Sequence, residues 1–167
     1  MRRIYKSVWD DDKLTKLFNM GFHPMMFYVF PTYWLISLPV NFVADSIVLL
    51  IGFKIYGQEK VWFNWKKSIF KSWLFGYAAD IVAALILLAF EVAAGIFRAS
   101  VIGQAFTGVL PFLCTLIPVL VAGVLIYFFN LKIALRKTEL DENAKEKVAL
   151  LMAIVTMPYL FFLPIKF

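Results

Sequence analysis

The sequence is poor in the residues on which most site chemistry depends. It holds one cysteine, Cys114, and one histidine, His23, among 167 residues. One cysteine excludes an internal disulfide, and one of each excludes the spaced Cys/His sets that bind zinc. Cys114 lies inside an apolar run and reads as a small buried hydrophobe. His23 reads as a polar residue at a membrane interface. There is no Gly-rich phosphate loop, no His-Glu-x-x-His and no Gly-x-Ser-x-Gly. The expectation is therefore a non-enzyme without cofactor or metal. Two intramembrane aspartates are the only material for a catalytic pair, and nothing around them has the pattern of a protease dyad. No Asn-x-Ser/Thr acceptor occurs, which argues against a glycosylated secretory-pathway protein.

Charge is also scarce, at 17% of residues, and apolar residues fill the space: 62% hydrophobic and 18% aromatic. Water-soluble domains run at about 45–50% apolar. Four apolar runs, 25–53, 74–97, 105–130 and 148–164, are each of membrane-crossing length or close to it. A soluble core would need several helices buried on every side, which a chain this short cannot cover. The fold class expected is an all-α integral membrane protein, one polytopic domain over residues 1–167 with about four membrane segments. The opening "MRRIYKSVWDDD" follows its basic residues with acids, unlike a cleaved signal. The net charge of +6 sits between the apolar runs, so the positive-inside rule accounts for it before nucleic acid does.

Lys and Arg number five in each of residues 1–24, 54–73 and 131–147, against one in 98–104 (Arg98) and one in the tail (Lys166). If every run crosses once, the two sides receive seven and ten. If the first run enters and returns on one side, the split is fifteen to two, which the rule favours. Pro39, which biases Leu38 away from helix, is where such a hairpin breaks, with Ser37 as cap of the following leg. The alternative is a single tilted helix after Pro39 with residues 24–37 at the interface. On the hairpin arrangement 1–24 and the connector 131–147 are cytoplasmic.

Residues 58–73, "QEKVWFNWKKSIFKSW", segregate Trp62, Trp65 and Trp73 from Lys66, Lys67 and Lys71. That is the composition of an amphipathic helix on the leaflet surface, meeting anionic lipid headgroups or a soluble cytoplasmic partner. Runs 74–97, 105–130 and 148–164 are expected to be membrane helices, the last at the lower length limit and containing Pro158.

The acids stand out. Asp80 and Glu91 lie in the second run, eleven residues apart and so on one helix face, with Arg98 seven further on. Segments 42–51, "FVADSIVLLI", and 77–86, "YAADIVAALI", place Asp45 and Asp80 in similar settings, the trace of a repeat or of chance among apolar stretches. A carboxylate at mid-bilayer costs roughly 2.5 kcal/mol or more, and no Lys or Arg lies deep in any run to neutralise these. The expectation is one polar interior lined by Asn41, Asp45, Asp80, Glu91 and Thr115. It implies an oligomeric channel- or transporter-like component with a cation or proton site, in a bacterial plasma membrane. The alternative is a membrane anchor or assembly subunit whose basic face recruits a partner, its buried carboxyls merely bonding across helices.

Overall fold

The computed structural model describes residues 24–57, 60–97 and 99–164, and every regular element among them is helical. In chain order these are α1 (Met26–Val29), a 3-10 turn (Pro31–Tyr33), α2 (Trp34–Gly52) running into a π-helical turn (Phe53–Gly57), α3 (Val61–Ile96), α4 (Val109–Phe129) running into a second π turn (Asn130–Ala134), and α5 (Glu142–Thr156). A last 3-10 turn spans Tyr159–Phe162. Three stretches are long and apolar enough to cross a membrane: Pro31–Tyr56, Val61–Ile96 and Val109–Lys137. The chain is a small all-helical integral membrane protein.

Large apolar side chains face outward as well as inward, unlike in a water-soluble bundle, and polar residues are among those buried. α2 exposes Leu35, Ile36, Val40, Val43, Ile47 and Ile51 and buries Ser37, Asp45 and Gly52. α3 buries Asn64, Ser68, Ser72, Gly76, Ala79 and Asp80 while Phe70, Leu74, Val82 and Leu85 face outward. Lipid is as apolar as leucine, so helices gain nothing by hiding leucines from it. They associate through small residues that pack closely and polar groups that bond.

Three expectations are corrected. First, residues 25–53 are no Pro39-broken hairpin: Trp34–Gly52 is one helix with Pro39 inside it. Pro39 stands in the second turn, so it denies a bond only to the Leu35 carbonyl, at the helix start, beside a residue 83% exposed. Ser37 is not a cap; its hydroxyl donates to the Tyr33 carbonyl at 3.2 Å and lies 2.7 Å from the Tyr77 hydroxyl. Without the hairpin the fifteen-to-two charge split loses its basis. What remains is that Lys60 and Asn64 of one basic segment meet Glu139 of the other: Asn64 Oδ1 accepts from the Glu139 amide (2.9 Å) and Lys60 pairs with Glu139 (2.9 Å). The Lys60 ammonium holds the Glu139 carboxyl below the usual carboxylate range. A lowered value contributes stability above the ordinary pKa and loses it as pH falls, though this exposed pair is screened by salt. Residues 1–23, Arg98 and Lys166, which the charge count also used, lie outside the described residues.

Second, 58–73 is not a separate surface helix. From Val61 it continues without interruption through Ile96, 36 residues or about 54 Å, because neither proline nor a glycine pair interrupts it. A hydrocarbon core is about 30 Å thick, so the first turns project beyond it. The buried face there is Asn64, Ser68 and Ser72, at steps of four, with Trp65 partly buried beside it. Trp62 and Trp65 stack at 4.6 Å with Lys66 over the Trp62 ring at 5.5 Å, and Lys67 lies 3.8 Å over Phe63. Lys71 is half-buried. Trp73 instead turns to α2: its indole donates to the Leu38 carbonyl at 2.9 Å, and its ring meets Phe42 edge-on.

Third, 148–164 is not a spanning helix. α5 has 15 residues, about 22 Å, and ends at Thr156 because Pro158 drives Met157 into extended backbone (φ −60°, ψ 153°). The chain nevertheless continues along the bundle. At one end Val148 lies 3.3 Å from where a Gly52 Cβ would stand; at the other Phe162 meets Phe106 and Phe112. The connector 131–147 forms a π turn, a 3-10 turn and the start of α5, which Asp141 caps, its Oδ1 accepting from the Ala144 amide at 2.9 Å.

The junction of α3 with the second π turn gives a test. Ser72 Oγ donates to Asn130 Oδ1 at 2.6 Å, and Asn130 Nδ2 donates to the Ile126 carbonyl at 2.9 Å, all buried. Asn130→Leu is expected to destabilise by about 1–2 kcal/mol in reversible unfolding in detergent micelles. Adding Ser72→Ala should recover part of that, since the stranded hydroxyl goes too; a double variant worse than the single one contradicts the assignment.

Candidate polar site at mid-height

α2 and α3 run antiparallel, and this brings their two aspartates to one level. Asp45 is fourteen residues from Pro31 and eleven from Tyr56, and Asp80 is nineteen from Val61 and sixteen from Ile96. Both therefore sit near the middle of their helices, α3 extending beyond the hydrocarbon core at its first turns. Gly76 makes the approach possible: a Cβ there would stand 3.4 Å from Asp45 Oδ2. Asp45 and Asp80 are 6% and 4% exposed.

They line a cavity of about 410 Å³ together with Tyr28, Asn41 and Thr156. Asn41 Nδ2 donates to Asp80 Oδ2 at 3.4 Å, close to the longest useful distance. The Tyr28 hydroxyl also interacts with Asp80 and Asn41. Asp80 Oδ1 is buried and has no hydrogen-bond partner. Among the described residues no Lys, Arg or His lines the cavity, and no group of three or more His, Cys, Asp or Glu is placed to hold a metal ion. Most of the remaining wall is aliphatic, including Ala44, Ile47, Val48 and Ile126. Chemically this is a pair of carboxyls with amide and hydroxyl neighbours, all hard oxygen or nitrogen groups, in a low-dielectric wall. It suits a proton or a cation and repels anions.

Of the five residues expected to share a polar interior, Asn41, Asp45 and Asp80 come together. Glu91 does not join them. Its Oε2 accepts from the Val101 and Ile102 amides at 2.7 and 2.9 Å, and its Oε1 from the Ser100 hydroxyl at 2.8 Å. It pins the loop beyond α3, and its separation from Asp80 by three helical turns places it away from the cavity. Thr115 is buried, yet its hydroxyl donates to the Pro111 carbonyl in its own helix at 3.0 Å. Cys114 is free and half-buried.

Two contributors were missed by sequence reasoning. Tyr28 stands in the short α1, whose packing on α3 no periodicity announces. Thr156–Tyr159 enters as the place where α5 breaks. Its one signal was Pro158 inside an apolar run, readable as an interrupted membrane segment.

No family model, no curated protein and no solved structure matches this chain.

Proposed function

We propose that this protein is an ion-conducting or ion-exchanging membrane component whose binding site is the Asp45–Asp80 pair. The carrying observation is the unpartnered, buried Asp80 Oδ1 in a cavity at mid-height, shared with a second carboxyl and without a basic residue. Buried polar groups are bonded as a rule, and ionisable groups inside a bilayer are expensive and mark ion or proton pathways. A purely structural carboxyl would be expected to bond fully across helices, as Glu91 bonds fully to its loop.

The test is flux. Purified protein in liposomes, with a potential or pH gradient imposed, is expected to move protons or monovalent cations faster than protein-free liposomes. Correctly folded wild-type protein that moves neither ion above that background rejects this reading.

A further inference from the structure

We propose that the cavity binds a partly dehydrated alkali-metal cation of sodium's size, held between the Asp45 and Asp80 carboxyls and the Val155 and Thr156 backbone carbonyls, which lose their helical partners where the fourth segment breaks at Thr156–Pro158. The inference rests on the ion-site reading above and deepens it by naming the ion and the third wall.

An α-helix leaves its last four carbonyls without intrahelical partners and concentrates partial negative charge there. In α5 that end borders the cavity. Val155, Thr156, Met157 and Pro158 all line the cavity that holds Asp45 and Asp80. Pro158 has no N–H, so it cannot serve the Ile154 carbonyl, which takes the Tyr159 hydroxyl instead. Thr156 Oγ1 donates to the Met152 carbonyl at 2.8 Å, and its oxygen keeps lone pairs for a further partner. The break is seated firmly: a Cβ on Gly123 would lie 3.3 Å from Met157 Cε, so α4 offers a notch that the Met157 side chain fills. A helix end alone would name no ligand. Here it shares a cavity with an orphaned carboxylate oxygen, Asp80 Oδ1, buried and bonded to nothing. An interrupted helix with freed carbonyls beside acids is a recurrent way to coordinate a small cation in a membrane.

The wall selects among cations. Mg²⁺ sheds water reluctantly and keeps several waters in most sites. Those waters would face Ile47, Val48 and Ile126, which cannot bond them. Ca²⁺ takes six to eight oxygens, more than two carboxyls, an amide and the exposed carbonyls supply with ease. A sodium-sized monovalent ion needs fewer and is released more readily. Charge balance then fixes the exchange. Two carboxyls with two protons are neutral, and two carboxyls with one proton and one monovalent cation are neutral. Each cation bound releases one proton.

Purified protein in detergent or nanodiscs at pH near 7, titrated with sodium chloride against choline chloride, tests this by two readouts. Sodium is expected to raise the melting temperature and to release protons, read with an indicator dye, while choline does neither. Asp80→Asn should abolish both responses. Pro158→Ala lets α5 continue, so that the Tyr159 and Leu160 amides close on the Val155 and Thr156 carbonyls; it should weaken sodium at least tenfold. Should that variant fold poorly by gel filtration and circular dichroism, Thr156→Val tests the same wall and should also weaken sodium. If sodium acts no differently from choline while the infrared carboxyl band of the wild type still titrates and changes in Asp80→Asn, the cation proposal falls and a proton site remains. If neither sodium nor protons act through Asp80, the ion-site reading falls with it. A magnesium response exceeding sodium overturns the ion assignment.

Discussion

Asp80→Asn protein, reconstituted at wild-type density, is expected to lose its ion flux almost entirely. The substitution keeps the shape of the side chain and an oxygen for the Asn41 amide, which donates at 3.4 Å. It removes the charge on Oδ1, the oxygen with no protein partner. Interactions with a charged group are worth about 1.5–3 kcal/mol, which is about a ten- to hundredfold loss of site occupancy at a fixed ion concentration. Asp45→Asn should act in the same direction, because neutralising either carboxyl leaves the pair unable to balance one cation and one proton. Stability gives the control. A buried carboxyl bearing an unsatisfied oxygen is no asset to the fold, so Asp80→Asn should unfold no more easily than wild type. A variant that conducts normally, or one that fails only because it no longer folds, contradicts this assignment.

Glu91 is expected to behave in the opposite way, as a group that matters for the fold and not for flux. Glu91→Ala strands the Val101 and Ile102 amides, whose residues are 3% and 0% exposed, and frees the Ser100 hydroxyl. Each buried donor left without a partner costs about 1–3 kcal/mol, so a loss on the order of 2–5 kcal/mol is expected in detergent unfolding. Amide hydrogen exchange at Val101 and Ile102 should accelerate, since Glu91 is their acceptor. Glu91→Gln should lose less than half as much. Its one carbonyl oxygen can take both backbone amides, as Oε2 does now, while its NH₂ donates to a rotated Ser100 hydroxyl. Flux through folded Glu91→Gln should match wild type, because the side chain does not line the cavity. If Glu91→Gln stops flux with the loop intact, the conducting path includes more than the Asp45–Asp80 pair.

The two acids of the second run looked alike in sequence. Asp80 and Glu91 share a helical face and apolar neighbours, and phasing alone joins them into one stripe. They differ in what the rest of the chain brings to each level. At the height of Asp80, antiparallel α2 supplies Asn41 and Asp45, and Gly76 leaves them room. At the height of Glu91, near the end of α3, the returning loop supplies two amides and a hydroxyl. A one-dimensional pattern gives the direction of a side chain and says nothing of its cross-helix partner. Pro39 and Pro158 teach the same lesson about breaks. Both interrupt the backbone bonding of an apolar run. Pro39 is absorbed because it falls in the second turn of α2 and the affected carbonyl is at the helix start. Pro158 ends α5 because Met157 goes extended, and the chain then finds its bonds in a 3-10 turn packed on Tyr28 through Phe161.

The sequence by itself determined the solvent and the class of structure. Apolar runs of this length can satisfy their backbone within a bilayer only as helices or closed barrels, and unalternating runs near twenty residues leave the helix. It also determined that Lys and Arg lie outside the apolar runs, that no spaced Cys/His set can form, and that Asn41, Asp45 and Asp80 fall inside apolar runs at a cost that packing between apolar helices does not require. Only the tertiary structure decided that three helices are long enough to cross while the fourth segment breaks, that 61–96 is one helix with its Asn64–Ser68–Ser72 face inward, and that Glu91 and Thr115 are satisfied elsewhere. The reason is the nature of the forces. Transfer into lipid acts on each residue separately and is written in composition. Helix pairing in lipid depends on close contact and on individual hydrogen bonds, which exist only once two segments have met.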